Sequence, residues 1–141
     1  KPFFKKRLLL LYKYEYNNTN NIQMKKGVFV LEINEYQLLA MRTLNKELDK
    51  KDILTNSVMG LCGESGEACD IVKKHLFHGH ELDRDALIKE LGDVAWYLAE
   101  AATALDTDLS EILERNIEKL KKRYPDGFET EKSLHRAEGD I

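Results

Sequence analysis

From Val28 onward the chain sets apolar residues three or four positions apart between polar ones, the period of an amphipathic helix. After a short apolar stretch, Val28 to Ile33, Asn34 and Gln37 stand three apart in the manner of a capping box, which predicts a first helix from about Glu35 to Leu48. Behind Asp52, apolar residues at Leu54, Val58, Leu61, Ala68, Val72 and Leu76 predict a long second helix, closed near Gly79 with histidines in its last turn. Asp83 can cap a third helix through Leu105, and Asp106 or Asp108 a fourth through about Tyr124, stopped by Pro125 and Gly127. The polar tail from Glu129 is expected to fray. No segment keeps a two-residue alternation rich in β-branched residues, so the predicted fold class is all-α, an antiparallel four-helix bundle-like arrangement with short connections.

In the third helix the face carrying Gly92, Trp96, Ala99 and Thr103 is uncharged and lies across from the helix's acidic edge. A helix with so little charged surface needs cover on several sides, which a four-helix monomer provides poorly, so an oligomer is expected. Trp96 is read as core or as an oligomer contact. Cys62 and Cys69 share the apolar stripe of the second helix, about 10 Å apart along its axis. That is too far for a disulfide, so both are read as buried thiols in a reducing compartment.

A chain of 141 residues suits one domain. Its net charge of −3 conceals an asymmetry: residues 1–26 carry +6 and residues 27–141 carry −9. An acidic body repels a polyanion, so stable nucleic-acid binding is disfavoured, and an anionic substrate must be met by a few placed cations or by metal ions. The longest apolar run in the basic head, Leu8 to Tyr12, is far short of a membrane span, and no small-residue cleavage site follows it. No membrane association is expected, and the location read is cytoplasmic. Because a more ordinary sequence begins at Met24, residues 1–23 are set outside the functional argument. The domains then read as a basic leader over 1–26, disordered or non-native, a helical domain over 27–128, and a flexible tail over 129–141.

The chemistry concentrates in two acidic pairs. Glu64 and Glu67 stand three apart in the second helix, and Glu90 and Asp93 do so in the third, so each pair projects from one face. Both pairs border the apolar stripe of their helix, and an antiparallel hairpin turning near Gly79 and His80 brings them level to roughly 3 Å. A single such pair is commonplace on a solvated helix face. Two facing pairs repel by roughly 4 kcal/mol for each contact at about 4 Å, and something must neutralise them. Four hard oxygen donors without His or Cys suit Mg²⁺, with Mn²⁺ as a substitute, and argue against zinc or a di-iron bundle. Gly60, Gly63, Gly66 and Gly92 lie inside these helices at about 1 kcal/mol each, for close packing, for room beside a ligand, or for both.

On the fourth helix Asn116, Lys119 and Arg123 form one stripe of an amide and two cations, suited either to a polyphosphate or to a solvated basic helix end. Lys73 and Lys74 carry the same two readings. His75, His78 and His80 are read as helix-end histidines rather than a soft-metal site.

Through Gly63-Glu64-Ser65-Gly66-Glu67-Ala68, Glu90-Leu91-Gly92-Asp93-Val94, and Asn116-Ile117 with Lys119-Leu120 and Arg123-Tyr124-Pro125, the chain resembles the MazG-like, all-α nucleoside triphosphate pyrophosphohydrolases over roughly Tyr36 to Phe128. The resemblance implies a Mg²⁺-dependent enzyme that hydrolyses a (deoxy)nucleoside triphosphate to the monophosphate and pyrophosphate in nucleotide-pool house-cleaning, as a homodimer or homotetramer. It implies Glu64, Glu67, Glu90 and Asp93 as metal ligands, Glu67 as the residue activating the attacking water, and Asn116, Lys119 and Arg123 as substrate contacts. Tyr97, Gln37 with Tyr36, and Lys74 complete the substrate-binding set. Gly63 departs from the pattern, standing where many family members carry a further glutamate. The alternatives are a phosphoribosyl-ATP pyrophosphohydrolase and a non-catalytic, metal-dependent helical module that binds nucleotides or a partner.

Overall fold

A computed structural model describes residues 31–135 of the chain. The basic leader, most of the apolar stretch before Ile33 and the last six residues of the tail lie outside the described residues. The chain divides into two units at Ile33, and every described helix belongs to the second. These are α1 (Ile33–Ala40), continued by a 3₁₀ turn (Met41–Thr43), α2 (Lys50–His78), α3 (Arg84–Ala104), α4 (Leu109–Arg123) and α5 (Thr130–Leu134). The described residues contain helices and no strand.

Local chemistry sets each boundary. Asp49 opens α2 by accepting from the Asp52 N–H at 2.9 Å, three residues earlier than the aspartate expected to start it. Gly79 closes α2 in the left-handed region at φ 72°, where a Cβ is disfavoured. Asp83 caps α3 as expected, accepting from the Ala86 N–H. At the far end of α3 the N–H of Thr107 reaches the Ala102 carbonyl and that of Asp106 the Thr103 carbonyl, a Schellman closure with Asp106 at φ 57°. Asp106 therefore finishes α3, and Asp108 stands at the start of α4.

The first helix differs most from its reading. It stops at Ala40 instead of continuing to Leu48, because Thr43 Oγ1 donates to the Ala40 carbonyl and Asn45 Oδ1 accepts from the Glu47 N–H, giving the backbone local alternatives to the helix. Asn34 and Gln37 do not box their own helix. The N–H of Leu109 donates to Gln37 Oε1 at 2.6 Å and that of Ser110 to Asn34 Oδ1 at 3.0 Å, so two amides of α1 cap the open N-terminus of α4. Around this junction lies the small core of Ala99, Ala102 and Leu109, with Tyr36, Ala40, Met41, Leu98 and Ile112 against it.

The long α2 and α3 pair as an antiparallel hairpin, and α1 covers the outer face of α3. Trp96 Nε1 donates to the Ala40 carbonyl and to Thr43 Oγ1, and Gln37 Nε2 to Thr103 Oγ1. Trp96, Ala99 and Thr103 of the uncharged face are thus covered from within, while Gly92 stays exposed. A different surface stays open: Val58, Val72 and Leu76 of α2 and Ile88 and Leu91 of α3 are exposed, and so are Cys62 and Cys69, which correct the reading of buried thiols. Leu113, Ile117 and Leu120 of α4 are also exposed, so α4 is tied in by its first turn and one chain does not pack four helices side by side. The polar tail from Glu129 carries the short α5.

Gly60 sets the closeness of the hairpin. A Cβ there would lie 2.2 Å from Tyr97 Cε1, whereas one at Gly63 would meet nothing within 4 Å. Gly60→Ala is expected to lower stability by about 1 kcal/mol, the overpacking cost of roughly 1–3 kcal/mol exceeding the helix-propensity gain of about 1. Gly63→Ala should raise stability by up to about 1 kcal/mol, and urea denaturation of the two variants reads the opposite signs.

Candidate metal centre

Gly60 against Tyr97 and Asn56 against Glu100 fix the register of the hairpin, and the same register carries Glu64 to the level of Asp93 and Glu67 to that of Glu90. One carboxylate oxygen each from Glu64, Glu90 and Asp93 lies within 4.8 Å of the others. Glu67, the fourth acidic residue expected here, stands one step around α2 and lines an adjoining cleft of about 400 Å³ with Glu90, Gly63, Gly66, Asp70, Ile71 and Lys74. The reason is angular: residues three apart on a helix differ by about 60°, so Glu64 turns into the seam with α3 while Glu67 turns to its edge.

Partial burial, and then the charges of Glu67, Asp93 and Glu90, push the Glu64 carboxyl above its ordinary range. Elevation of one carboxyl by like charges around it is the signature of a group short of counter-charge. Burial and the Asp93 charge likewise raise the Tyr36 hydroxyl. Beside the cleft, hydrogen bonds from Lys73 and Lys74 hold Asp70 down to about 2. The Lys74 Nζ lies 2.6 Å from Asp70, which places a cation at the cleft's edge. The donor set fits a hard divalent cation: three oxygens converge, their charges oppose one another, and no histidine or cysteine enters the group.

The remaining expected site residues are distributed differently. Tyr97 lies in the seam over Gly60, its ring edge-to-face with Trp96 at 5.0 Å. Gln37 is 5 % exposed and its amide is spent on Thr103, the Thr107 carbonyl and the Leu109 N–H, so the structure does not bring it to the carboxylates. Asn116 and Lys119 are exposed on α4, and Arg123 lies 5.9 Å over the Tyr124 ring. The cleft is lined by α2 and α3, without a contribution from α4. His75 Nδ1 pairs with the His80 carbonyl at 2.9 Å, a helix-end contact.

A polar pair passed over in the sequence occupies the same seam. Glu100 is 0 % exposed, and Asn56 Nδ2 donates to its Oε1 at 3.1 Å and its Oε2 at 3.0 Å. An acidic residue among alanines in Ala99-Glu100-Ala101-Ala102 was the available signal. Burial pushes the Glu100 carboxyl up, and the Asn56 amide pulls it back. With its pKa raised in the folded chain, the folded state binds this proton more tightly than the unfolded one. The stabilising contribution is therefore complete below the ordinary value of 4.5 and is lost as pH rises through the folded value. Glu100→Gln is expected to flatten the stability–pH curve over that range, which urea midpoints at successive pH values measure.

Residues 54–128 match the MazG nucleotide pyrophosphohydrolase domain, and the chain belongs to that family. It is also similar to the Gene 37 protein of Mycobacterium phage L5, 37% identical over 105 residues that cover 69% of this chain and 92% of the phage protein. No solved structure matches it. That family places the chain among the hydrolases acting on nucleotides. Among the described residues, no helix is long and apolar enough to cross a membrane.

Proposed function

We propose that the protein hydrolyses a (deoxy)nucleoside triphosphate between the α- and β-phosphates, giving the monophosphate and pyrophosphate, with Mg²⁺ as cofactor and Mn²⁺ as a substitute. The observation that carries this reading is the convergence of Glu64, Glu90 and Asp93 beside a cleft that also holds Glu67 and Lys74. Glu64, Glu90 and Asp93 would hold the cation, with Glu67 adjoining them. The chemistry supplied by Mg²⁺ there is charge neutralisation on the phosphates and a lowered pKa for the attacking water. Glu67, facing the cleft, accepts the proton of that water at a carboxylate oxygen. Lys74, drawn from Asp70, and the α4 residues Asn116, Lys119 and Arg123 offer donors to the phosphates. Tyr97 offers a ring to the sugar. The working form is a homodimer or homotetramer joined through the exposed apolar face of α2 and α3.

The test is incubation with canonical and modified nucleoside triphosphates and phosphoribosyl-ATP, with and without Mg²⁺, separating pyrophosphate from orthophosphate. Metal-dependent pyrophosphate with an equal amount of monophosphate is expected, and preference for modified nucleotides would support house-cleaning. Mg²⁺-dependent assembly without pyrophosphate would favour the binding module instead.

A further inference from the structure

Burying a carboxylate is expensive, and apolar residues of similar volume would hold a helix seam as well or better. Glu100 is nevertheless fully buried, and what it holds is the amide of Asn56, an exposed residue. Both Glu100 oxygens accept from the Asn56 Nδ2, so the amide nitrogen faces inward and its Oδ1 is presented at the other end of the amide. The reverse orientation would set acceptor against acceptor. Glu100 thus fixes which way an exposed amide points, which a packing role does not require.

The position of Asn56 gives that orientation a purpose. Asn56, Gly60, Gly63, Glu67, Asp70 and Lys74 follow one another on α2 at alternating steps of four and three, so they form one edge of the helix. The last four line the cleft, and Tyr97 lies over Gly60 between the cleft and Asn56. At 1.5 Å per residue, Asn56 is about 10 Å along the axis from Gly63. The Lys74 end of this edge is charged, whereas the other end offers an aromatic ring and a neutral amide. Phosphates suit the first, and an uncharged heterocycle suits the second.

We propose that Asn56, oriented by Glu100, is a specificity-determining residue whose Oδ1 accepts from the exocyclic amine of cytosine or adenine, selecting these bases over their carbonyl counterparts. This deepens the pyrophosphohydrolase reading and rests on it for where the phosphates lie. In the presence of Mg²⁺ the matched pairs dCTP/dUTP and dATP/dITP, each differing by amine against carbonyl, are compared by pyrophosphate release, and the corresponding monophosphates by calorimetric binding. The amino-bearing member is expected to be preferred about tenfold, carried by KM rather than kcat, the scale of one net hydrogen bond.

In N56A the ratio should fall to within about twofold. The double variant N56A/E100A should do the same without leaving a buried carboxylate unpaired, which keeps the test valid if N56A folds poorly. E100Q, which can both donate and accept, frees the Asn56 amide to turn and should relax the preference without removing Asn56. Equal treatment of both members by the wild-type protein, or an unchanged ratio in the double variant, overturns the proposal while pyrophosphate release leaves the wider reading standing. If no triphosphate is hydrolysed, the pyrophosphohydrolase reading fails. Amine-selective binding of the monophosphates that vanishes in N56A/E100A would then still support the role of Asn56, and absence of binding would overturn it.

Discussion

Glu90→Gln is expected to reduce Mg²⁺-dependent pyrophosphate release by about a thousandfold or more while raising the melting temperature of the metal-free protein, because the two effects draw on the same charge. Glu90 belongs both to the converging trio and to the lining of the cleft, so it is the acidic side chain that joins the proposed cation site to the proposed substrate space. Without a cation its charge lifts the Glu64 carboxyl, and glutamine removes that repulsion at nearly unchanged volume. With a cation the same substitution removes an anionic ligand. Parallel assays of pyrophosphate release and thermal melting with and without Mg²⁺ check both signs. Retained turnover in a folded Glu90→Gln protein would remove the metal-centre mechanism.

The second large effect concerns assembly. Leu76 and Ile88 are 62% and 63% exposed, and with Val58, Val72 and Leu91 they leave an apolar surface on the hairpin that no described part of the same chain covers. Each such side chain is worth about 1.5–3 kcal/mol when fully buried, and an unpaired carboxylate in its place adds a further desolvation penalty. The paired substitution Val72→Glu with Ile88→Glu should therefore weaken self-association by about a thousandfold or more. Sedimentation at micromolar concentration is expected to show the wild-type protein as a dimer or tetramer and the variant as a monomer, with pyrophosphate release falling alongside. A monomeric wild-type protein would overturn this assembly.

The helices, their direction and the level of the acidic pairs were legible because each has a local cause: apolar period, an aspartate at the start of α3, a glycine at the end of α2. What the sequence hid was which ends meet. Asn34 and Gln37 carry the spacing of a capping box, and that same spacing puts two amides on one side of a helix, where they cap whichever N-terminus tertiary packing brings near. Gln37 was misplaced for that reason. The cysteines were misread because an apolar stripe marks a face without telling what packs on it. Glu100 was overlooked because a single acidic residue among alanines has no period, and its meaning depends on Asn56, 44 positions away.

The seam also carries its own optical reporter. Trp96 is the sole tryptophan of the chain, and its indole N–H is tied to Ala40 and Thr43 one turn beyond Asp93 on α3. Its emission therefore follows the docking of the turn after α1 onto the helix that carries two of the three converging carboxylates. Loosening of that contact, and any strain passed to it when the acidic trio is filled, can be observed by intrinsic fluorescence in the unlabelled protein.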